Sequence, residues 1–498
     1  MVNSSSSKAK AYLSKSKFKD GLQCPKLLWY KYNRKEEIPP FDQKTQAIFD
    51  VGHSVEEYAY QFFPGGIKLE RDPNPEKHHQ KSADALTLRK PLFEAGFIAG
   101  RTYALADVLA PLSGGLWELY EIKSTSKVKE EHLHDLAFQK YTYRNAGINV
   151  LRSYLIHINM EYIRRGDINA REFLAVEEVT REIEPLVEGI EKRVAVLLDM
   201  IALPETPDIK IGAQCDAPVV CPLKPLCWKF LPPDNVTMIY YGPKLGFELL
   251  DRGILKIVDI PDDVKLNDKQ LIQAKVLKSR IPHVDKGKIG KFLGKLKYPL
   301  YFLDFETINP AIPVFDNTRP FQQIPFQYSL HVVRKAGARP EHYSFLAQGD
   351  CDPRPELMQK LQGLLGDAGS IVAYNDQFER GVLRSAVEDY PEYANWFEAI
   401  DERFVDLLEP FKSFFYYHPK QGKSASLKSV LPAITDMSYE GLEIGEGGLA
   451  SLEYSRVTFN REVSEAERQR VRLALEKYCA LDTEAMIEIL NALGRESK

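Results

Sequence analysis

GRTYALADVLAPLSGGLWELYEIKST, residues 100 to 125, decides how the amino-terminal half of the chain is read. Its apolar residues alternate on either side of Ser113, Gly114 and Gly115, which predicts two strands joined by a tight turn. Asp107 lies on the first strand. Glu121 and Lys123 lie two apart on the second, and the two-residue period of a strand puts them on one face. With Asp107 paired beside them, two carboxylates can hold a hard divalent cation through oxygen, and the lysine can position or polarise an attacking water. Hydrolysis of a phosphodiester needs that combination, because an anionic phosphate gathers further charge in its transition state. Asp followed by Glu-x-Lys across a turn also describes a surface hairpin with a cross-strand ion pair.

Composition sets the frame around this stretch. The chain has 498 residues, 44% hydrophobic and 27% charged, ordinary for a soluble protein and long enough for two or three domains. Six cysteines in such a length exclude a secreted disulfide scaffold and favour a reducing compartment. The start, MVNSSSSKAKAYLSKSKFKD, is basic and serine-rich without the apolar stretch of a signal peptide, and no run of about 18 apolar residues occurs. A cytoplasmic protein with no membrane partner is expected. The net charge of −4 is neutral on the question of nucleic acid, but its distribution is not. Residues 1–36 and 275–297 are both strongly basic, and such clusters can follow a phosphate backbone or form solvated faces.

CDAPVVCPLKPLC, residues 215–227, spaces Cys215, Cys221 and Cys227 at intervals of six. Three thiols cannot pair off among themselves, and zinc or an iron–sulfur cluster ordinarily takes four ligands. KFLPPDNV follows and marks a seam near residue 235. Residues 236–296 read as short helices, a linker. Strands resume at YPLYFLDFETI, with FQYSLHVVRKAG as partner, opening a second domain over 297–498. Asp304 and Glu306 share one strand face there, and acids facing the same way repel unless a cation holds them. IVAYNDQFERGVL offers Asn375, Asp376 and Glu379 where a strand passes into a helix. LEKYCALDTEAM puts Tyr478 and Asp482 four apart on a helix. SFFYYHPKQGKSASLKSVLPAI, residues 413–434, interleaves four aromatics with three lysines and His418, as a single-strand channel would or as a core helix with a polar loop would.

Two resemblances order these residues. GHSVEEYAYQFF with His53, Asp107, the Glu121-x-Lys123 pair, and FQKYTYRNAG with Gln139 and Tyr143 follow in sequence the histidine, Asp, Glu-x-Lys and Gln-x-x-x-Tyr motifs of RecB-like nucleases of the PD-(D/E)XK superfamily. The resemblance covers roughly residues 15 to 230 and implies a restriction-endonuclease-like α/β fold that binds Mg2+ or Mn2+ through His53, Asp107 and Glu121. Members that act at DNA ends hold an iron–sulfur cluster with one cysteine before the nuclease core and three after it. The resemblance therefore implies Cys24, in DGLQCPKLLWY, as the fourth ligand beside Cys215, Cys221 and Cys227 of a 4Fe-4S cluster, with zinc as the alternative. The gap between the first two trailing cysteines is longer than in the commonest family form. Cys351 and Cys479 fit neither pattern.

The carboxy-terminal part resembles the DEDD exonucleases, whose fold is ribonuclease-H-like and whose motifs are Asp-x-Glu, Asn-x-x-x-Asp and Tyr-x-x-x-Asp. Asp304 and Glu306 match the first and Tyr478 with Asp482 the third. The second departs, with Glu379 in the aspartate's place, so that either the site is rearranged or Asp376 serves instead. The resemblance implies metal held by Asp304, Glu306, Glu379 and Asp482 and a water oriented by Tyr478. In this order the chain is similar to a bacterial domain-of-unknown-function family. The expectation is α/β twice over: a RecB-like nuclease domain with its iron–sulfur site over 1–235, a helical linker over 236–296 and a DEDD-type domain over 297–498. Its function would be metal-dependent cleavage of DNA, on single strands or ends, in repair or defence. The alternative is a nucleic-acid end-binding protein that has lost catalysis in its second domain.

Overall fold

In the computed structural model, which describes residues 12–40, 42–349 and 351–498, Thr102–Pro111 and Trp117–Ile122 pair antiparallel, with Val108 opposite Tyr120. Gly114 and Gly115 turn the chain between them at φ 68° and 77°, a left-handed conformation that side chains with a Cβ resist. This hairpin is the middle of a mixed sheet. Its strands are β1 (Leu13–Ser14), β2 (Ile67–Lys68), β3 (Leu92–Ala99), β4 (Thr102–Pro111), β5 (Trp117–Ile122), β6 (Val150–Ile158) and β7 (Leu174–Glu178), in the order β2-β3-β4-β5-β6-β7, with β1 pairing onto β4. The helix Glu130–Asn145 buries Leu136, Ala137, Phe138 and Tyr143 among Ala104, Ala106, Leu119 and Leu155 of those strands.

A second sheet follows after β8 (His283–Val284). It is built from β9 (Leu300–Ile308), β10 (Ile324–Val333), β11 (Glu341–Leu346), β12 (Ser370–Ala373) and β13 (Phe404–Asp406), in the order β11-β10-β9-β12-β13. The first three pair antiparallel with one another, while β12 and β13 run parallel to β9. The apolar run LYFLDFETI is β9, covered on both faces. Tyr301, Leu303 and Phe305 face one core, and Leu300 and Phe302 face another. A short strand, β14 (Tyr416–Tyr417), pairs with β8.

The chain divides into two units, Met1–Lys229 with Ala311–Pro313, and Phe230–Pro310 with Val314–Lys498. Residues 236–296, expected to stand apart as a linker, belong to the second unit. Ile289 and Phe292, from the helix Lys286–Leu293, are buried in the core that receives Leu300, Phe302 and Met486. The division falls at residue 229, near the prolines that mark the seam in the sequence. Among the described residues no helix is long and apolar enough to cross a membrane.

Gly369 sets the entry into β12 at φ +96°, and a Cβ there would stand 2.1 Å from the carbonyl oxygen of Pro299. Gly369→Ala should destabilise the second unit by about 3 kcal/mol. Urea unfolding of the full chain measures this, and a loss below about 0.5 kcal/mol would contradict the close packing.

Candidate active sites and a thiol site

In the first unit the antiparallel register carries Asp107 opposite Glu121, one step beyond the last ladder pair, Val108 and Tyr120. There the Asp107 carboxylate accepts the backbone N–H of Ile122 at 2.7 Å, and β5 continues against β6. The strands fork at this point, and both carboxylates lie in the fork. Glu121 is fully buried, and its carboxylate accepts from Lys123 Nζ at 2.5 Å, Lys15 Nζ at 2.7 Å and Gln139 Nε2 at 2.6 Å. Lys15 Nζ also lies 3.9 Å from Asp107 Oδ1, so one ammonium stands against both acids. Burial alone would raise Glu121, but the charges of Lys123 and Lys15 overcome it and hold the carboxyl well below its usual range. Asp107 goes the other way: burial first, and then the charge of Glu121, push it up to about 6. Burial works against the charge of Lys123, and Glu121, Asp135 and Asp107 more than restore it.

Asp107, Glu121, Lys123 and Gln139 are thus brought together as the sequence suggests. Tyr143 lies beneath them, its hydroxyl donating to the carbonyl of Ala95 at 2.7 Å. His53 is exposed on the helix Gln43–Tyr60, and none of its contacts among the described residues joins it to Asp107 or Glu121. Glu56, one turn further on, faces the acids instead. Burial, then Asp107 and Glu94, push Glu56 up to about 7. Glu94 sits opposite Asp107 in the β3–β4 register at φ +60°, its carboxylate accepting from Arg71 Nε at 2.7 Å. Lys15, Glu56, Glu94 and Asp135 were not found from sequence. Only Glu56 had a signal, its place in the same GHSVEEYAYQFF stretch. A hard cation bridging Asp107 and Glu121 would have to displace Lys15.

In the second unit the even residues of β9 that begin as core, Leu300 and Phe302, continue as Asp304 and Glu306 on the same face. The helix Glu465–Glu496 brings Asp482 to them, and one oxygen from each of the three carboxylates lies within 4.8 Å of the others. They line a cavity of about 980 Å³ together with Glu379, Tyr478, Tyr374, Lys423 and Lys428. Burial and the charges of Asp482, Glu306 and Glu379 hold Asp304 protonated far above its ordinary range. Burial and Asp482 push Glu306 up to about 8, and burial raises Asp482 to about 6 against the hydroxyls of Tyr439 and Tyr478 and the charge of Lys428. Glu379 is 2% exposed, and its Oε2 has no hydrogen-bond partner. Asp376 does not line the cavity, and its carboxylate accepts from Arg380 Nη1 at 3.2 Å. Tyr439, whose hydroxyl donates to Asp482 Oδ1, gave no sign of its place in the sequence. Cys479 is buried beside Asp304, with Sγ 3.6 Å from Oδ2.

Cys24, Cys215, Cys221 and Cys227 line one small pocket of the first unit with Ile209, Ile211 and Leu223. Gln23 fastens the two chain segments, donating to the carbonyls of Gln214 at 2.8 Å and Val219 at 2.7 Å. Burial pushes the Cys221 thiol up to about 11, and the nearness of Cys24, Cys215 and Cys227 adds to it. Among the described residues the only three ligand atoms found within 4.8 Å of one another are those of Asp304, Glu306 and Asp482. No three of these four thiols lie that close together.

The basic segments are engaged in part. Residues 1–11 lie outside the described residues. Lys19 and Lys31 pair with Asp135 and Asp20 at 3.2 and 2.5 Å, while Arg280 and Lys295 pair with Asp234 and Glu409 at 2.6 and 2.9 Å. Of the stretch 413–434, Phe414, Tyr416 and Tyr417 are buried in cores, while Lys423 and Lys428 line the acidic cavity.

Residues 301–426 match the domain of unknown function DUF2779, a span that holds Asp304, Glu306, Glu379 and Lys423 and ends before Asp482. The chain is similar to the Uncharacterized protein MG366 homolog of Mycoplasma pneumoniae, 30% identical over 216 residues, 39% of this chain and 32% of that protein. It is also similar to the Uncharacterized protein MG366 of Mycoplasma genitalium, 29% identical over 216 residues and the same shares of each. The chain thus spans about a third of the length of these curated relatives. No solved structure matches significantly.

The raised carboxyls predict how metal-free protein responds to pH. Unfolded, Asp304, Glu306 and Asp482 titrate near 4, so between about pH 4 and 8 the folded state holds more protons than the unfolded one. Their contribution is fully present below about pH 4 and is lost as pH rises through the range near 6 to 8 set by Asp482 and Glu306. Thermal unfolding of chelator-treated protein should show this fall, and Asp304→Asn should flatten it. Identical profiles for the two proteins would contradict it.

Proposed function

We propose that this chain is a metal-dependent nuclease that hydrolyses phosphodiester bonds of DNA, on single strands or ends, with its principal active centre at Asp304, Glu306, Glu379 and Asp482. The observation that carries the reading is the convergence of three carboxylate oxygens within 4.8 Å in a large cavity, with a fourth buried acid lacking a partner beside them. Uncompensated buried carboxylates are costly, and a hard divalent cation relieves all of them at once. Mg2+ or Mn2+ bound there would supply Lewis-acid stabilisation of the phosphoryl group and a more acidic water. Tyr478, which lines the same cavity, is placed to orient that water. An antiparallel three-strand meander continued by two parallel strands supports the ribonuclease-H-like reading. That Glu379 and not Asp376 lines the cavity supports Glu379 as the motif's second acid.

For the first unit, the grouping of Asp107, Glu121, Lys123 and Gln139 in a forked sheet supports the RecB-like PD-(D/E)XK reading. The four thiols share one pocket, which supports a single four-cysteine site, and the resemblance favours an iron–sulfur cluster there, with zinc as the alternative. A bound cluster would clasp the start of the unit to its end, and reduced thiols suit the cytoplasm.

Full-length protein given Mn2+ and labelled single- and double-stranded DNA and RNA should cut, with single-stranded DNA preferred. Asp304→Asn should lower that rate at least about 100-fold, and Lys123→Ala should remove a separable activity of the first unit. Metal-independent binding without cleavage of any substrate would favour the end-binding reading instead. Purified without oxygen, the protein should be brown, and Cys24→Ser should bleach it and lower the unfolding temperature of the first unit. A colourless wild type free of iron would remove the cluster from the proposal.

A further inference from the structure

Four carboxylates around one cavity attract a metal but repel the phosphate it would act on, so an anion needs a cation in the cavity beside them. Three lysines line this cavity, Lys412, Lys423 and Lys428. The first two are exposed, and Lys428 is half-buried. Its Nζ lies 5.0 Å from the centre of the Tyr478 ring and 5.4 Å from that of Tyr439, the two tyrosines beside Asp482. Among the described residues no carboxylate stands within 4.0 Å of this ammonium, although its charge reaches both Glu306 and Asp482. Nor is its position loose. The helix Leu427–Ile434 that carries it is anchored by Val430 and Leu431, both fully buried in the core shared with the helix Glu465–Glu496.

Ring faces hold a cation without consuming its hydrogen bonds. All three N–H donors of Lys428 are therefore left for a ligand, in contrast to Lys15 and Lys123, which are spent on Glu121. We infer that Lys428 is the anion-receiving residue of the acidic cavity, its Nζ binding a non-bridging phosphate oxygen of a nucleotide held in the same cavity as Asp304, Glu306 and Asp482. This rests on the nuclease reading of that cavity and names the group that holds the substrate's charge. A compact ammonium serves here as a point charge, which can follow the phosphate as the attacked phosphorus changes geometry.

The test uses the full chain with Ca2+ to hold the site without turnover, thymidine 5′-monophosphate titrated by calorimetry, and Mn2+ binding followed by electron paramagnetic resonance. Lys428→Met should weaken nucleotide binding about 10- to 100-fold while Mn2+ binding is kept or tightened, since a positive charge beside Glu306 and Asp482 is gone. Lys428→Arg should recover part of the nucleotide affinity. Opposite effects on the two ligands separate anion binding from a merely structural lysine, whose loss would leave nucleotide affinity alone. Nucleotide affinity within twofold of wild type in Lys428→Met, with Mn2+ still bound, would overturn the assignment and leave the metal site standing. Wild-type protein that binds neither Mn2+ nor nucleotide would overturn the nuclease reading and this inference with it.

Discussion

Buried carboxylates that face one another repel, and the second unit is arranged around keeping three of them in place. Asp304 and Glu306 are carried by a strand covered on both faces, and Asp482 by a helix whose neighbouring residues reach two cores. That frame prevents the acids from separating. What stands near them softens the repulsion without cancelling it: the hydroxyls of Tyr439 and Tyr478 and the charge of Lys428. The first unit treats a similar problem differently. Glu121 is answered by two ammonium groups and an amide, so its charge is settled within the protein. One centre is internally neutralised and the other is left in electrostatic debt, and that contrast makes the second the stronger candidate for a metal.

Local pattern exposed the parts of this arrangement that local physics dictates. Alternation located the β4–β5 hairpin and put Glu121 opposite Asp107, and it put Asp304 and Glu306 on one face of β9. Lys15 was invisible, because nothing near it announces a partner 106 residues away. Glu94 was hidden too: its place depends on a register across β3 and β4 and on a backbone conformation that no residue type signals. His53 and Glu56 illustrate a finer limit, since a helix presents neighbouring turns and the motif alone does not say which one faces the strands.

Burial decides where composition leaves two readings open, a single-strand channel or a core segment with a polar loop. Aromatic and basic residues interleave over 413–434, yet the rings of Phe414, Tyr416 and Tyr417 fill cores and the lysines turn to the cavity. Residues 236–296 join the second unit in the same way, with Ile289 and Phe292 in one core and Tyr240 and Val276 in another beside Phe414 and Tyr417.

The bonds from Gln23 to Gln214 and Val219 join residues 191 and 196 positions apart. A ribosome adding about 5–20 residues per second needs roughly 10–40 s to pass from one to the other. Throughout that interval the first helix exists without the partners that fasten it, and the thiol of Cys24 waits uncovered beside it. The amino-terminal unit is therefore closed by nearly the last of its residues to be made, and Cys24 is the one of its four pocket cysteines that waits longest for the others.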